Sequence, residues 1–214
     1  MKKIILPLFL ISSFLAKSQT SIEFPKDEKG HTIFKEIVES ELDSTTLFSN
    51  AKNWIAKTFG SYKKVVQFED DKDLKIILKG ESDIPIRNII NSAGVEKDYL
   101  TFTITIECKD KRYRYIIDDI EIQHTLTVLG IDVKNSISTD EKLENIGAKK
   151  KKLDELNSID ISKLKKSEKE NLLNDISNAD NAYKTDLLIY EKEYNTFIQL
   201  IKSLKERMKI NDDF

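Results

Sequence analysis

Residues 100–117 read LTFTITIECKDKRYRYII. Leu100, Phe102, Ile104, Ile106 and Cys108 alternate with Thr101, Thr103, Thr105 and Glu107, the period of two that marks a half-buried strand. Asp110-Lys111 then serves as a two-residue turn. With that turn Cys108 faces Tyr113, Ile106 faces Tyr115 and Ile104 faces Ile117, one continuous apolar face. On the other side Glu107 meets Arg114, an opposite-charge cross-strand pair worth at most about 1 kcal/mol. Pattern and register agree on both faces. They predict an antiparallel hairpin with one packed and one wet face.

Upstream, Thr32 to Ser40 reads as an extended stretch. Leu47, Ala51, Trp54, Ile55 and Thr58 then form one helical stripe, widened by Phe48 and Phe59. Ser44, Thr45 or Thr46 is expected to cap its start and Gly60 to end it. Trp54 lies mid-stripe and is expected to anchor the core. Lys64 to Phe68 and Leu74 to Lys79 read as two strands joined by Asp70-Asp71-Lys72. That register puts Phe68 opposite Leu74 and Val66 opposite Ile76 on the buried side. Residues 81–98, with Pro85 and Gly94, read as a long loop or lid.

The stretches Asn50-Ala51-Lys52-Asn53-Trp54-Ile55, Gln67-Phe68-Glu69-Asp70 and Lys109-Asp110-Lys111-Arg112-Tyr113-Arg114-Tyr115 resemble a known family. It is domain of unknown function 4468, exported bacterial proteins with a fold like that of the TATA-box-binding protein. The resemblance covers roughly residues 30 to 120. It implies an α+β fold, a curved antiparallel sheet with the Trp-bearing helix on one face, followed here by a mostly helical C-terminal tail. The family has no established activity, so the resemblance transfers no catalytic residue, and the fold likeness does not license DNA binding. Lys111 departs from the family pattern, which often has Gly there. A two-residue hairpin turn favours Gly because its backbone needs positive φ, so a longer or strained turn is expected.

Composition shifts near residue 135. Beyond it Lys, Glu, Asn, Asp and Leu dominate, with no Pro and a single Gly, Gly147. The chain is read as residues 1–18, a signal peptide; 19–29, an N-terminal extension; 30–133, the antiparallel α+β domain; and 140–210, a helical tail. Ser167-Glu168-Lys169-Glu170 reads as a capping box. Tyr183, Leu187, Tyr190, Tyr194, Phe197, Ile201, Leu204 and Met208 recur alternately four and three apart, a heptad-like seam on a long helix over 179–209. That seam must pack on something: the helix near 140–157, the segment near 162–178, or a second chain. A helical hairpin within the chain is the plainer reading, and self-association through 179–209 is the other.

Lys2 and Lys3, the apolar run Ile4 to Leu15 and Ala16-Lys17-Ser18 have the three parts of a secretory signal, with cleavage expected before Gln19. The apolar run is too short for a membrane span, and no stable transmembrane anchor is expected after cleavage. The mature chain then carries 32 basic and 37 acidic residues, a formal charge of −5. An acidic exported protein is a poor candidate for nucleic acid. The expected location is periplasmic or secreted. The lone Cys108 allows no internal disulfide.

No site chemistry stands out. His31 and His124 are isolated, Cys108 falls on the predicted apolar face, and the six glycines are scattered. Asp70, Asp71 and Asp73 lack the rest of a calcium loop. Asp118-Asp119 reads as strand-end solvation. No catalytic residue, metal ligand or cofactor is therefore assigned. The candidate partner-binding residues are Thr101, Thr103, Thr105, Arg112 and Arg114 on the wet sheet face, and Tyr183, Tyr190 and Tyr194 on the helical seam. The expected function is a non-enzymatic binding or scaffold module for a protein or envelope-component partner. The alternatives are a periplasmic carrier of a small apolar ligand held under residues 81–98, or an enzyme with an unrecognised site.

Overall fold

The structure, a computed structural model, describes residues 23–82, 87–91 and 94–211. The expected signal peptide, residues 1–18, and the cleavage expected before Gln19 lie outside the described residues. Two long strands, β5 (Gly94–Lys109) and β6 (Arg112–Val128), form the spine of one seven-stranded antiparallel sheet. The ribbon pairs as its alternation requires: Cys108 with Tyr113, Ile106 with Tyr115, Ile104 with Ile117 and Glu107 with Arg114. Near the Lys109–Arg112 turn it is flanked by β1 (Phe34–Glu39) and β3 (Lys75–Glu81), with β2 (Val66–Asp70) beyond β3. At its far end it is flanked by β4 (Arg87–Asn91) and β7 (Ile131–Ser138).

Residues 87–98 are therefore mostly hairpin rather than loop. Asn91 pairs with Gly94 and Arg87 with Asp98, so backbone pairing reaches through a stretch whose polar composition suggested a lid. A second correction concerns β2. The connection to β3 spans 71–74, Leu74 sits in the turn at φ 49°, and Phe68 pairs with Ile77. A register irregularity between Val66 and Phe68 turns Phe68 to the solvent side, where it is 47% exposed. A one-residue slip is enough to exchange the faces of a strand.

Helix α1 (Ser44–Thr58) packs its stripe on the sheet, burying Leu47, Phe48, Ala51, Trp54 and Ile55. Its cap is Asp43, one residue before the expected candidates, whose carboxylate accepts from the backbone N–H of Thr45 and Thr46, both at 2.9 Å. After a one-turn helix α2 (Tyr62–Val65) come the strands, then α3 (Thr139–Asn157), a 3₁₀ turn at Ile161–Lys163 and α4 (Lys166–Arg207). The last is one uninterrupted helix of 42 residues, about 63 Å long, and not a separate segment followed by a helix from 179. Lys165 stands at its N-cap position, before Ser167. Glu168 reaches back to accept from the Lys165 N–H at 2.8 Å.

The seam of α4 lies against the sheet. Phe197 and Leu204 are fully enclosed, with Phe197 5.2 Å from the Phe34 ring and 5.3 Å from that of Phe102. Trp54 is buried and donates its indole N–H to Ser203 Oγ at 2.9 Å, which satisfies its polar end. Phe24 joins the same core, 4.8 Å from Tyr190 and 5.6 Å from Phe34. Helix α3 runs antiparallel to α4. Two ion pairs clasp them in one register, Lys142 with Glu193 and Lys149 with Asp186.

Candidate functional site

The helices contact one face of the sheet and leave the other open. Rows of residues cross that open face. Lys75, Glu107, Arg114 and Ile37 form one row; Ile77, Thr105, Ile116 and Lys35 the next; Lys79, Thr103 and Asp118 a third; Glu81, Thr101 and Glu121 a fourth. The structure thus brings Thr101, Thr103, Thr105 and Arg114 together on one surface. Arg112, exposed and opposite Lys109, sits at its end beside the turn.

This surface is polar but not basic. The Arg114 guanidinium donates to Glu107 through Nε at 3.0 Å and also through Nη2, and Lys75 Nζ lies 3.3 Å from the other carboxylate oxygen. Burial pushes the Glu107 carboxyl up, but Arg114 and Lys75 outweigh it and hold it below the usual range. Thr103 Oγ1 donates to Asp119 at 3.2 Å. Asp119 takes φ 48° in a bulge that sets two residues of β6 against Phe102. Asp118-Asp119 is consequently mid-strand, not the strand-end pair the sequence suggested. Burial, then the neighbouring Asp119 charge, raises the Asp118 carboxyl. Ile37, at 57% exposed, and Phe68 supply apolar contact area on the same side.

The seam tyrosines lie on the opposite side, and the assignment of Tyr190 to a partner is corrected, because that side chain is buried. Tyr190 is buried against Phe24, and Tyr194, 5.4 Å from Phe24 and 6.2 Å from Phe34, is partly buried. Tyr183 is half-buried against the same core. Part of the apolar area of Tyr183 and Tyr194 is likewise packed within the chain.

Two concavities escaped sequence reasoning. A groove of about 1050 Å³ is lined by Phe24, Phe34, Tyr115, Tyr190 and Tyr194, with Glu36 and Lys205 on its rim. Glu36 accepts from Tyr115 Oη at 2.7 Å and from Lys205 Nζ at 2.5 Å, and the Lys205 bond, then that from Tyr115, holds its carboxyl low. A second cleft, of about 590 Å³, lies between the far end of the sheet and the α3–α4 pair, lined by Asp98, His124, Lys149, Lys152, Thr185 and Asp186. There His124 Nδ1 is 2.7 Å from Asp98 Oδ1. The only sign of this pair in the sequence is the bulge: counted from the turn without it, Asp98 would meet Gln123. Among the described residues no group of three or more His, Cys, Asp or Glu is placed to hold a metal ion. Cys108 is buried, and burial pushes its thiol up to about 12.

Residues 34–123 match the family described as "Domain of unknown function (DUF4468) with TBP-like fold", so the resemblance read from the sequence holds over the sheet domain. Among solved structures, a DUF4468 family protein from Bacteroides ovatus is similar at 15% identity and a TM-score of 0.39, over 53% of this chain. This chain spans 64% of that one's length. A TBP-like protein from Parabacteroides distasonis is similar at 15% identity and a TM-score of 0.46, over 85% of this chain and 96% of that one. No curated protein matches.

Proposed function

Starting from a sheet segment, residues 34–123, that carries a domain of unknown function with a TBP-like fold, we propose that this chain is an exported, non-enzymatic binding or scaffold module. It meets a protein or envelope component through the open sheet face. The observation that supports this reading is the one-sided packing. Every helix that contacts the sheet does so on the side of Trp54 and Phe197, while Thr101, Thr103 and Thr105 stand half-buried in rows with paired charges and two exposed apolar side chains, Ile37 and Phe68. Such a mixture of hydroxyls, internally paired ions and scattered apolar area suits a protein surface. It does not suit a polyanion, because Glu107, Asp118 and Asp119 share the face with Arg114 and Lys75.

The test is affinity capture by the tagged mature chain from an envelope extract, repeated with Thr103→Arg/Thr105→Arg. The double variant is expected to keep the fold by circular dichroism and lose most of the captured partner. An unchanged capture profile contradicts a role for this face. The carrier alternative is favoured by one observation, the aromatic groove under Phe24, which replaces residues 81–98 as its location. A bound apolar molecule released from the purified protein, visible by mass spectrometry, would favour it.

A further inference from the structure

Strand β7 is an edge: among the described residues it pairs with β6 alone. Edge strands are normally kept short, bulged or screened, because their unpaired backbone groups recruit another strand. The edge strand β2 carries a register irregularity, and β4 has five residues. β7 runs eight residues in unbroken register, from Ile131 opposite Val128 to Ser138 opposite Glu121. Ile131 is 68% exposed and Val133 60%.

The β6–β7 turn determines which backbone groups face outward. Leu129 and Gly130 both take positive φ, 51° and 80°, as a two-residue hairpin turn of the favoured hand requires. The closing pair Val128–Ile131 is then the hydrogen-bonded kind. Ile131, Val133 and Asn135 therefore direct their backbone groups to β6, and Asp132, Lys134 and Ser136 direct theirs outward.

We propose that β7 pairs antiparallel with β7 of a second copy of this chain, around a twofold axis through Val133, joining the two sheets into one. In that register Asp132 faces Lys134 of the second copy, and Lys134 faces its Asp132. Val133 faces its own counterpart, and Ile131 faces Asn135. Sliding the strands by two residues either way puts Asp132 opposite Asp132 or Lys134 opposite Lys134. The charges thus select a single register, and the contact closes on itself as a twofold interface must. The partner is named by this self-complementarity and not by the open sheet face, so it stands apart from the binding role above.

Sedimentation equilibrium of the mature chain should show a concentration-dependent dimer. Asp132→Lys, a change at an exposed position whose carboxylate accepts one bond within the chain, from Thr127 Oγ1 at 2.6 Å, should weaken it about tenfold, and Asp132→Lys/Lys134→Asp should restore it. Val133→Cys should oxidise to a disulfide dimer, because a non-hydrogen-bonded pair brings its Cα atoms to about 4.5 Å. Ile131→Cys should not, its counterparts being offset by about 13 Å along the strands. The buried Cys108 thiol stays out of both reactions. A chain that remains monomeric to millimolar concentration overturns the proposal. So does a double charge reversal no better than the single one, or Ile131→Cys cross-linking as readily as Val133→Cys. A monomer whose exposed Ile131 and Val133 instead drive binding to lipid vesicles also overturns it.

Discussion

Lys111 shows how one residue can carry a local cost for a global connection. It sits at φ 59°, in the left-handed region that costs an L-residue about 1–2 kcal/mol and glycine almost nothing. Its N–H donates to the Leu42 carbonyl at 3.1 Å, and its carbonyl accepts from the Ser40 N–H at 2.8 Å. The turn is thereby fastened to the connection between β1 and α1. Lys111→Gly should stabilise the protein by about 0.5–1 kcal/mol after the looser unfolded chain is allowed for, seen as a higher denaturant midpoint with an unchanged slope. An unchanged or lower midpoint would mean the turn holds no strain. The missing glycine was legible in the sequence, as was the two-residue turn. Asp119 was harder to read. The apolar spacing Ile117, Ile120, Ile122 breaks from period two there, and that break is the whole signal of the bulge that brings His124 to Asp98.

At the scale of elements, strict alternation made the β5–β6 ribbon legible and short apolar runs did not make β2 so. Val66 and Phe68 fit either face until the turn length is known, and the turn used four residues. The α3–α4 pair was legible as two stripes but not as a register, which Lys142–Glu193 and Lys149–Asp186 define. Glu193 is wholly enclosed and Lys142 nearly so. Burial raises the Glu193 carboxyl, and the Lys142 charge opposes that. Lys142→Met leaves this carboxylate unpaired and should cost about 3–5 kcal/mol, whereas Lys142→Met/Glu193→Leu should recover most of it. A raised folded-state pKa means the native state binds the proton more tightly than the unfolded chain. The loss in the single variant should therefore shrink as pH falls through that pKa. Urea unfolding at several pH values checks both, and a single variant as stable as wild type at neutral pH would show the pair to be unimportant.

The described residues share one dry interior, and it does not end at residue 133, the expected boundary of the sheet domain. A repeat of 3.5 residues says that a helix has a seam and is silent about what the seam faces. Here it faces Phe34, Trp54 and Phe102 of the sheet domain, so the helical tail is structural before it is anything else. Removal of residues 140–214 would strip Tyr190, Phe197 and Leu204 from that core and should destabilise the sheet domain. This shared core is what confines the helices to one side and leaves the other side of the sheet open. Native-state hydrogen exchange on the chain from Gln19 onward tests it most directly. Amides of 189–204 in α4 and of the central β5–β6 ribbon should exchange through one common opening, with equal free energies and equal denaturant dependence. Exchange of α4 at distinctly lower free energy, with the ribbon still protected, would contradict a single core.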